Sequence, residues 1–182
     1  HNIIIKKKIQ VVLMKTFIYE KEYSMTPSLL CKKVINMFEN ETNKHVGITL
    51  GGINKDVKDT TDFMMPNTGK WKDIYAYLEN ELSKNIKTYI DNVDIIDCFK
   101  NVPIVPSKFM IQKYEKNIGK YEYHNDFSFD NETNMYRVIT YLWYLNDIEF
   151  GGETEFLDEK IIIKPTTGKL ILFPALWVYP HK

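Results

Sequence analysis

The stretch Tyr136-Arg137-Val138-Ile139-Thr140-Tyr141-Leu142-Trp143-Tyr144-Leu145 is rich in β-branched and aromatic side chains and holds no glycine or proline. Such residues pack well on a pleated surface, so the stretch predicts a strand. Alternation then sets Thr140, Leu142 and Tyr144 on one strand face. Shorter runs of the same character recur after Pro103 and Pro106: Phe109 to Tyr114, Lys120 to Asn125, Thr154 to Phe156, Lys160 to Ile163 and Lys169 to Phe173. Turn chemistry separates them at Asn117 to Gly119, Asp130-Asn131, Gly151-Gly152 and Thr166 to Gly168. Several short antiparallel strands at this spacing predict a sandwich or barrel. Gly151-Gly152 reads as a tight turn and not as a phosphate loop, because no helix follows it.

Upstream the pattern is helical. Thr26-Pro27 marks a helix start, and Leu30, Val34, Met37 and Phe38 follow at helical spacing. Trp71, Ile74, Tyr75, Leu78, Leu82, Ile86, Tyr89 and Ile90 form one apolar stripe, predicting a helix over Trp71 to Ile90 that packs on a sheet. Lys44 to Thr68, with Gly47, Gly51, Gly52 and Pro66, reads as loops with room for a short strand. The fold class is therefore α+β, mainly β. The expected organisation is an upstream extension over 1–13 and a single domain over 14–182. Within it, helical support and loops (14–107) precede a β core (108–182).

Composition sets outer bounds. A chain of 182 residues with 44 % hydrophobic and 14 % aromatic residues fits a globular protein and excludes a disordered one. At this size folding buries roughly 70 % of the unfolded surface, so no disulfide or metal staple is needed. Lys and Arg number 24, as do Asp and Glu, so no global field gathers nucleic acid or an anionic membrane. No apolar run approaches the roughly 20 residues of a membrane span. Ile3 to Ile5 precede Lys6-Lys7-Lys8, the reverse of a signal peptide. Cys31 and Cys98 are far apart and outside any CxxC spacing, which suits two thiols in a reducing, cytoplasmic setting. Arg137 is the only arginine; an ammonium does not replace a guanidinium where planar bidentate pairing is needed.

Two of the four histidines have chemical company. His124-Asn125-Asp126 is an H-x-D at a strand end, and His181 lies 55 residues beyond Asp126 (181 − 126). Two imidazoles and one carboxylate make the facial triad of non-haem Fe(II) oxygenases, which leaves open positions on the metal. The same residues also suit a zinc site, or a strand-end histidine bonded to a neighbouring acid.

The flanks add to this. Tyr114, Tyr121, His124 and Asp126, then Arg137 to Asn146, Gly151-Gly152-Glu153-Thr154-Glu155-Phe156, Pro165 to Gly168, Leu172-Phe173-Pro174 and His181 follow in an order that resembles the iron and 2-oxoglutarate dependent dioxygenases of the prolyl 4-hydroxylase type, including small viral and bacterial members. The resemblance is strong from about Lys108 to Lys182 and weak over the helices. It implies a double-stranded β-helix, or jelly roll, with N-terminal supporting helices. It implies His124, Asp126 and His181 as the catalytic iron ligands. Tyr114, Thr140, Leu142 and Tyr144 would bind 2-oxoglutarate, in a pocket with one apolar wall and hydroxyl groups for a carboxylate. Tyr121, Arg137 and Trp177 would line the substrate mouth, unless Trp177 fills core. Fe(II), 2-oxoglutarate and O2 are implied, with ascorbate as reductant and succinate and CO2 as co-products. A prolyl residue in a peptide or protein is the implied substrate, with no nucleic acid or membrane partner.

One departure bears on this. The family anchors 2-oxoglutarate with a Lys or Arg roughly ten residues after the second histidine, whereas the sequence at hand stops at Lys182. The expectation is a C-terminally incomplete jelly roll lacking its last strand or strands. Otherwise another basic residue, such as Lys108 or Lys169, does the anchoring. Two other functions stay open: a non-catalytic jelly-roll metal-binding module, and a hydroxylase of the same chemistry acting on a free amino acid, another side chain or a nucleobase.

Overall fold

The computed structural model describes residues 17–22, 25–92, 103–131, 133–157 and 160–182. The expected extension 1–13 and Cys98 lie outside the described residues. In chain order the elements are β1 (Tyr19–Lys21), α1 (Met25–Glu39), β2 (His45–Val46), β3 (Lys58–Asp59), β4 (Thr61–Met64), α2 (Lys72–Asn92, entered through a 3-10 turn at Gly69–Trp71), β5 (Met110–Lys113), β6 (Lys120–Tyr121), β7 (Phe129–Asp130), β8 (Met135–Tyr136), β9 (Ile139–Trp143), β10 (Thr154–Phe156), β11 (Ile161–Ile163) and β12 (Leu170–Pro174).

The helices form where the apolar spacing predicts them. Val34 and Phe38 of α1 are buried, as are Ile74, Leu78, Leu82 and Tyr89 of α2. Both stripes pack into one cluster with Phe63, Met65, Trp71, Phe109, Leu170 and Leu172. Asn85 is a polar exception in the α2 stripe. Its amide donates to the Glu81 carbonyl at 2.6 Å and its oxygen accepts from the Tyr19 hydroxyl at 3.3 Å, which ties α2 to β1.

β12 is the centre of the fold. It lies between β1 and β9 in an antiparallel sheet, with Leu172 opposite Tyr19 on one side and Tyr141 on the other. Leu170 to Phe173 are wholly buried. Alternation divides them: Leu170 and Leu172 enter the helical cluster, while Ile171 and Phe173 join Phe156, Ile163 and Tyr179. β9 divides in the same way, sending Tyr141 and Trp143 toward the helices and Leu142 and Tyr144 into the second cluster. The sheet thus has the helices on one face and the hairpin β10–β11 on the other. A sheet covered on both faces loses its polar side, which explains the continuous apolar reading of β12.

Two expectations need correction. The region read as loops, Lys44 to Thr68, carries β2, β3 and β4; β4 pairs with β2 and β5, and β3 pairs with β6. These strands are short, and they bury Lys58, Thr60 and Asp62, residue types that signal solvent in a sequence. The expected strand Lys120 to Asn125 shrinks to Lys120–Tyr121, with His124 pairing alone further on. The Gly151-Gly152 turn is as expected, with φ of 78° and 73° at its two glycines.

Candidate metal centre

His124 and His181 are brought together by backbone pairing. The His124 N–H donates to the His181 carbonyl at 3.0 Å, and the His181 N–H donates to the His124 carbonyl at 2.9 Å. On its other side His181 bridges to Phe156 of β10. Segments 57 residues apart (181 − 124) are therefore held side by side by backbone pairing. Asp126 completes the group. One ligand atom from each of the three residues lies within 4.8 Å of the others, and among the described residues this is the group found that could hold a metal ion.

The rings are oriented by their outer nitrogens. Nδ1 of His124 sits 2.8 Å from the Glu122 carbonyl, and Nδ1 of His181 sits 3.1 Å from the Tyr179 carbonyl. A carbonyl only accepts, so each Nδ1 carries the proton and each Nε2 presents a lone pair. Both Nε2 atoms face one carboxylate, at 3.6 Å from Asp126 Oδ1 and 3.5 Å from Oδ2. The Thr140 hydroxyl donates to Asp126 Oδ2 at 2.7 Å and holds that carboxylate from β9. Outer contacts of this kind fix tautomer and orientation in metal sites. Two lone-pair imidazoles and a carboxylate converging on one point fit a divalent cation of the iron class.

The two histidines differ in surroundings. His181 is 4 % exposed, with the rings of Phe173 and Phe156 at 4.8 and 5.7 Å. His124 and Asp126 are half-buried. Burial first, then His181, hold the His124 imidazole below its ordinary value of 6.5; Lys58 adds to this, and the Glu122 carbonyl and Asp126 oppose it. In metal-free protein the His124 ring protons should therefore titrate by NMR with a midpoint below 6.5. The unfolded chain binds a proton there that the folded one refuses, so metal-free stability should decline as pH falls through 6.5 toward the folded value. A midpoint at or above 6.5 contradicts the electrostatics described.

The remaining expected site residues distribute as follows. Tyr114 is 47 % exposed, yet its hydroxyl is pushed well above the ordinary phenol range by burial and by Asp62, Tyr121, Asp126 and Tyr144. That combination describes a cleft wall, reachable by solvent but surrounded by protein. Gly119 shapes this wall: a Cβ there would lie 2.6 Å from the Glu115 nitrogen and 2.7 Å from Tyr114 Cα, so only glycine closes the β5–β6 connection. Tyr144 shares a 2.6 Å hydrogen bond with Thr154 and is pushed up to about 12, chiefly by burial. Leu142 supplies apolar wall beside it. Tyr121 stacks on His124, with centroids 3.5 Å apart and planes at 13°. Arg137 is exposed, and its charge reaches the hydroxyls of Tyr121 and Tyr141. Trp177 is 72 % exposed and fills no core. The basic residues near the chain's end are engaged elsewhere: Lys182 pairs with Glu155 at 3.1 Å, and Lys169 with Glu22 at 3.0 Å and Glu20 at 3.4 Å.

Sequence reasoning missed Thr154, Lys58 and Asp62 as neighbours of the site. Thr154 was legible only as a strand residue. Lys58 and Asp62 carry no local signal, because their burial depends on β3 and β4 closing over them.

Fold and site together give a two-histidine, one-carboxylate group on a β scaffold that could hold a metal ion. Residues 109–182 match the family model of the 2OG-Fe(II) oxygenase superfamily, and this match supports a dioxygenase enzyme. No curated protein matches the chain by sequence. Solved structures resemble it over more than the matched region. A prolyl hydroxylase from Trichoplax adhaerens, in complex with a hypoxia inducible factor oxygen degradation domain peptide fragment, has TM-score 0.69 at 18 % identity, covering 91 % of this chain and 76 % of that one. A Pseudomonas putida prolyl-4-hydroxylase has TM-score 0.65 at 14 % identity, covering 91 % and 84 %. The viral collagen prolyl hydroxylase of Paramecium Bursaria Chlorella virus-1, as its 2OG complex, has TM-score 0.59 at 17 % identity, covering 91 % and 86 %. At these identities the likeness is one of fold.

Proposed function

We propose that this chain hydroxylates prolyl residues in a peptide or protein, with Fe(II) held by His124, Asp126 and His181. The observation that carries the proposal is the convergence of both Nε2 lone pairs on the Asp126 carboxylate, with each tautomer fixed from behind. Bound Fe(II) would couple oxidative decarboxylation of 2-oxoglutarate to substrate hydroxylation, one oxygen atom of O2 going into succinate as CO2 leaves and the other into the substrate C–H bond, with ascorbate keeping the iron reduced. Tyr114, Tyr144 and Thr154 supply hydroxyls, and Leu142 apolar wall, for the 2-oxoglutarate carboxylates. Thr140 then acts through Asp126, keeping its carboxylate turned to the metal. Ile171, Phe173 and Phe156 exclude water behind His181. The scaffold in this reading is a jelly roll, and the compartment a reducing cytoplasm, where a thiol such as the buried Cys31 stays free.

The peptide assignment draws support from the fold-level neighbours, which are prolyl hydroxylases. Tyr121, Arg137 and Trp177 form the substrate side of the proposal, since all three are at least partly open to solvent. The test is oxygen-dependent succinate release with proline-containing peptides and a 16 Da gain on the proline. Succinate release with free amino acids alone would point to the other substrate class. Absence of turnover with intact metal binding would favour a metal-binding module.

Arg137 yields a sharper expectation. Arg137→Lys keeps the charge and loses the planar fork, so peptide turnover should fall about tenfold, the effect of one lost charged hydrogen bond. The melting temperature should hardly move, because Arg137 is exposed. Retained activity with a lower melting temperature would make Arg137 structural.

A further inference from the structure

Lys58 and Asp62 are an ion pair where sequence alone predicts solvent. They are 2 % and 1 % exposed, and the Lys58 ammonium donates to Asp62 Oδ2 at 2.7 Å. The other carboxylate oxygen accepts from the Thr60 hydroxyl at 2.7 Å. The end of β2 lies flush against them: a Cβ on Gly47 would stand 2.2 Å from Thr60 Oγ1 and 3.0 Å from Lys58 Cε. A buried pair of this kind is poorly explained by stability, since well-packed apolar residues in its place are often as stable or more so.

We propose that the buried Lys58–Asp62 pair is a positioning device for the metal ligand His124, acting through the ring of Tyr121. The inference rests on the metal-site reading above. In the β3–β6 ladder Lys58 stands directly opposite Tyr121. Its ammonium lies over the Tyr121 ring, 5.2 Å from the centroid, the range of a cation–π contact. The same ring stacks on His124 at 3.5 Å. Asp62, gripped by Thr60, fixes the ammonium; the ammonium fixes the phenol; the phenol fixes the tilt of the imidazole.

A second path runs beside the first. The Glu122 N–H donates to the Val57 carbonyl at 2.8 Å, and the Glu122 carbonyl accepts a hydrogen bond from His124 Nδ1 at 2.8 Å. One short segment, Val57-Lys58, thereby sets both the tilt of the His124 ring and its rotation in plane. This segment lies outside residues 109–182, so the N-terminal half takes part in building the metal centre.

The test is anaerobic Co(II) titration of the full chain, read by affinity and by the visible d–d bands, with thermal melts alongside. Outer contacts of metal ligands are worth roughly 10- to 100-fold in affinity. Tyr121→Phe keeps the ring face and should bind as wild type does. Tyr121→Leu should lose about tenfold and shift the bands. Lys58→Met/Asp62→Leu replaces the pair by apolar groups, so it should keep most of its melting temperature, short of the freed Thr60 hydroxyl, yet lose about tenfold in affinity. Adding Tyr121→Leu to that double variant should cost little more, because both changes cut the same path. Wild-type affinity in either Tyr121→Leu or the double variant overturns the proposal, as does a full sum in the triple variant. If the double variant does not fold, Tyr121→Leu against Tyr121→Phe decides alone: equal affinities overturn the proposal. A wild-type chain that binds no Co(II) overturns the metal site and this inference together, whereas binding with unaffected variants overturns this inference only.

Discussion

Alanine at His124, Asp126 or His181 is expected to abolish turnover and remove specific Fe(II) binding, with the fold surviving to different degrees. Each change deletes one of the three proposed ligands, whose ligand atoms lie within 4.8 Å of one another. The stability effects separate the three. His181 is enclosed by Phe156 and Phe173, so His181→Ala also opens a cavity and lowers the melting temperature most. His124 and Asp126 are half-buried, and their loss is felt chiefly by the metal. Metal linkage provides a reading independent of activity. Free Fe(II) or Mn(II) at a hundred times its dissociation constant stabilises a specific site by about 2.7 kcal/mol. For a domain of this size that raises the melting temperature by roughly 5–10 °C. Wild type should show this rise under anaerobic conditions and the three variants should not. Unchanged metal affinity in all three variants would sink the assignment.

Asp62→Ala is expected to be among the most damaging single changes far from the metal. It leaves the Lys58 ammonium buried without its carboxylate and frees the Thr60 hydroxyl from its acceptor. Removing one partner of a buried ion pair costs about 3–5 kcal/mol, whereas the intact pair is worth far less than that relative to apolar substitutes. The expected fall in melting temperature is roughly 6–20 °C. Lys58→Met combined with Asp62→Leu should recover most of it. Equal losses in the single and double variants would show that packing, and not the orphaned charge, sets the cost. The contrast also keeps stability apart from metal affinity, since only the latter should stay low in the double variant.

Much of this protein is legible in the order of its residues. The stripes on α1 and α2 follow from helical spacing, because a face that recurs every three or four residues must be buried somewhere. The strand runs around β9 and β12 follow from composition, since branched and aromatic residues have few other places to go. The H-x-D at 124–126 singles out two candidate ligands by their spacing, although the strand expected there ends at Tyr121, and His181 is one of very few possible partners in a chain with four histidines. Tyr121, Tyr114 and Tyr144 were singled out by the resemblance, and nothing local distinguishes them among 12 tyrosines.

The tertiary structure alone decided the rest. Thr140, read as a pocket residue, spends its hydroxyl on Asp126, a contact set by how β9 meets the 124–126 segment. Lys58 and Asp62 read as solvent-facing in sequence because a charged side chain is buried only when a partner waits for it. That partner, and the strands that cover the pair, come from segments folded over it. Local pattern encodes which face of an element avoids water. Which polar groups meet inside depends on long-range pairing, Val57-Lys58 with Tyr121-Glu122 and His124 with His181, and no short stretch of the sequence contains both sides of such a pair.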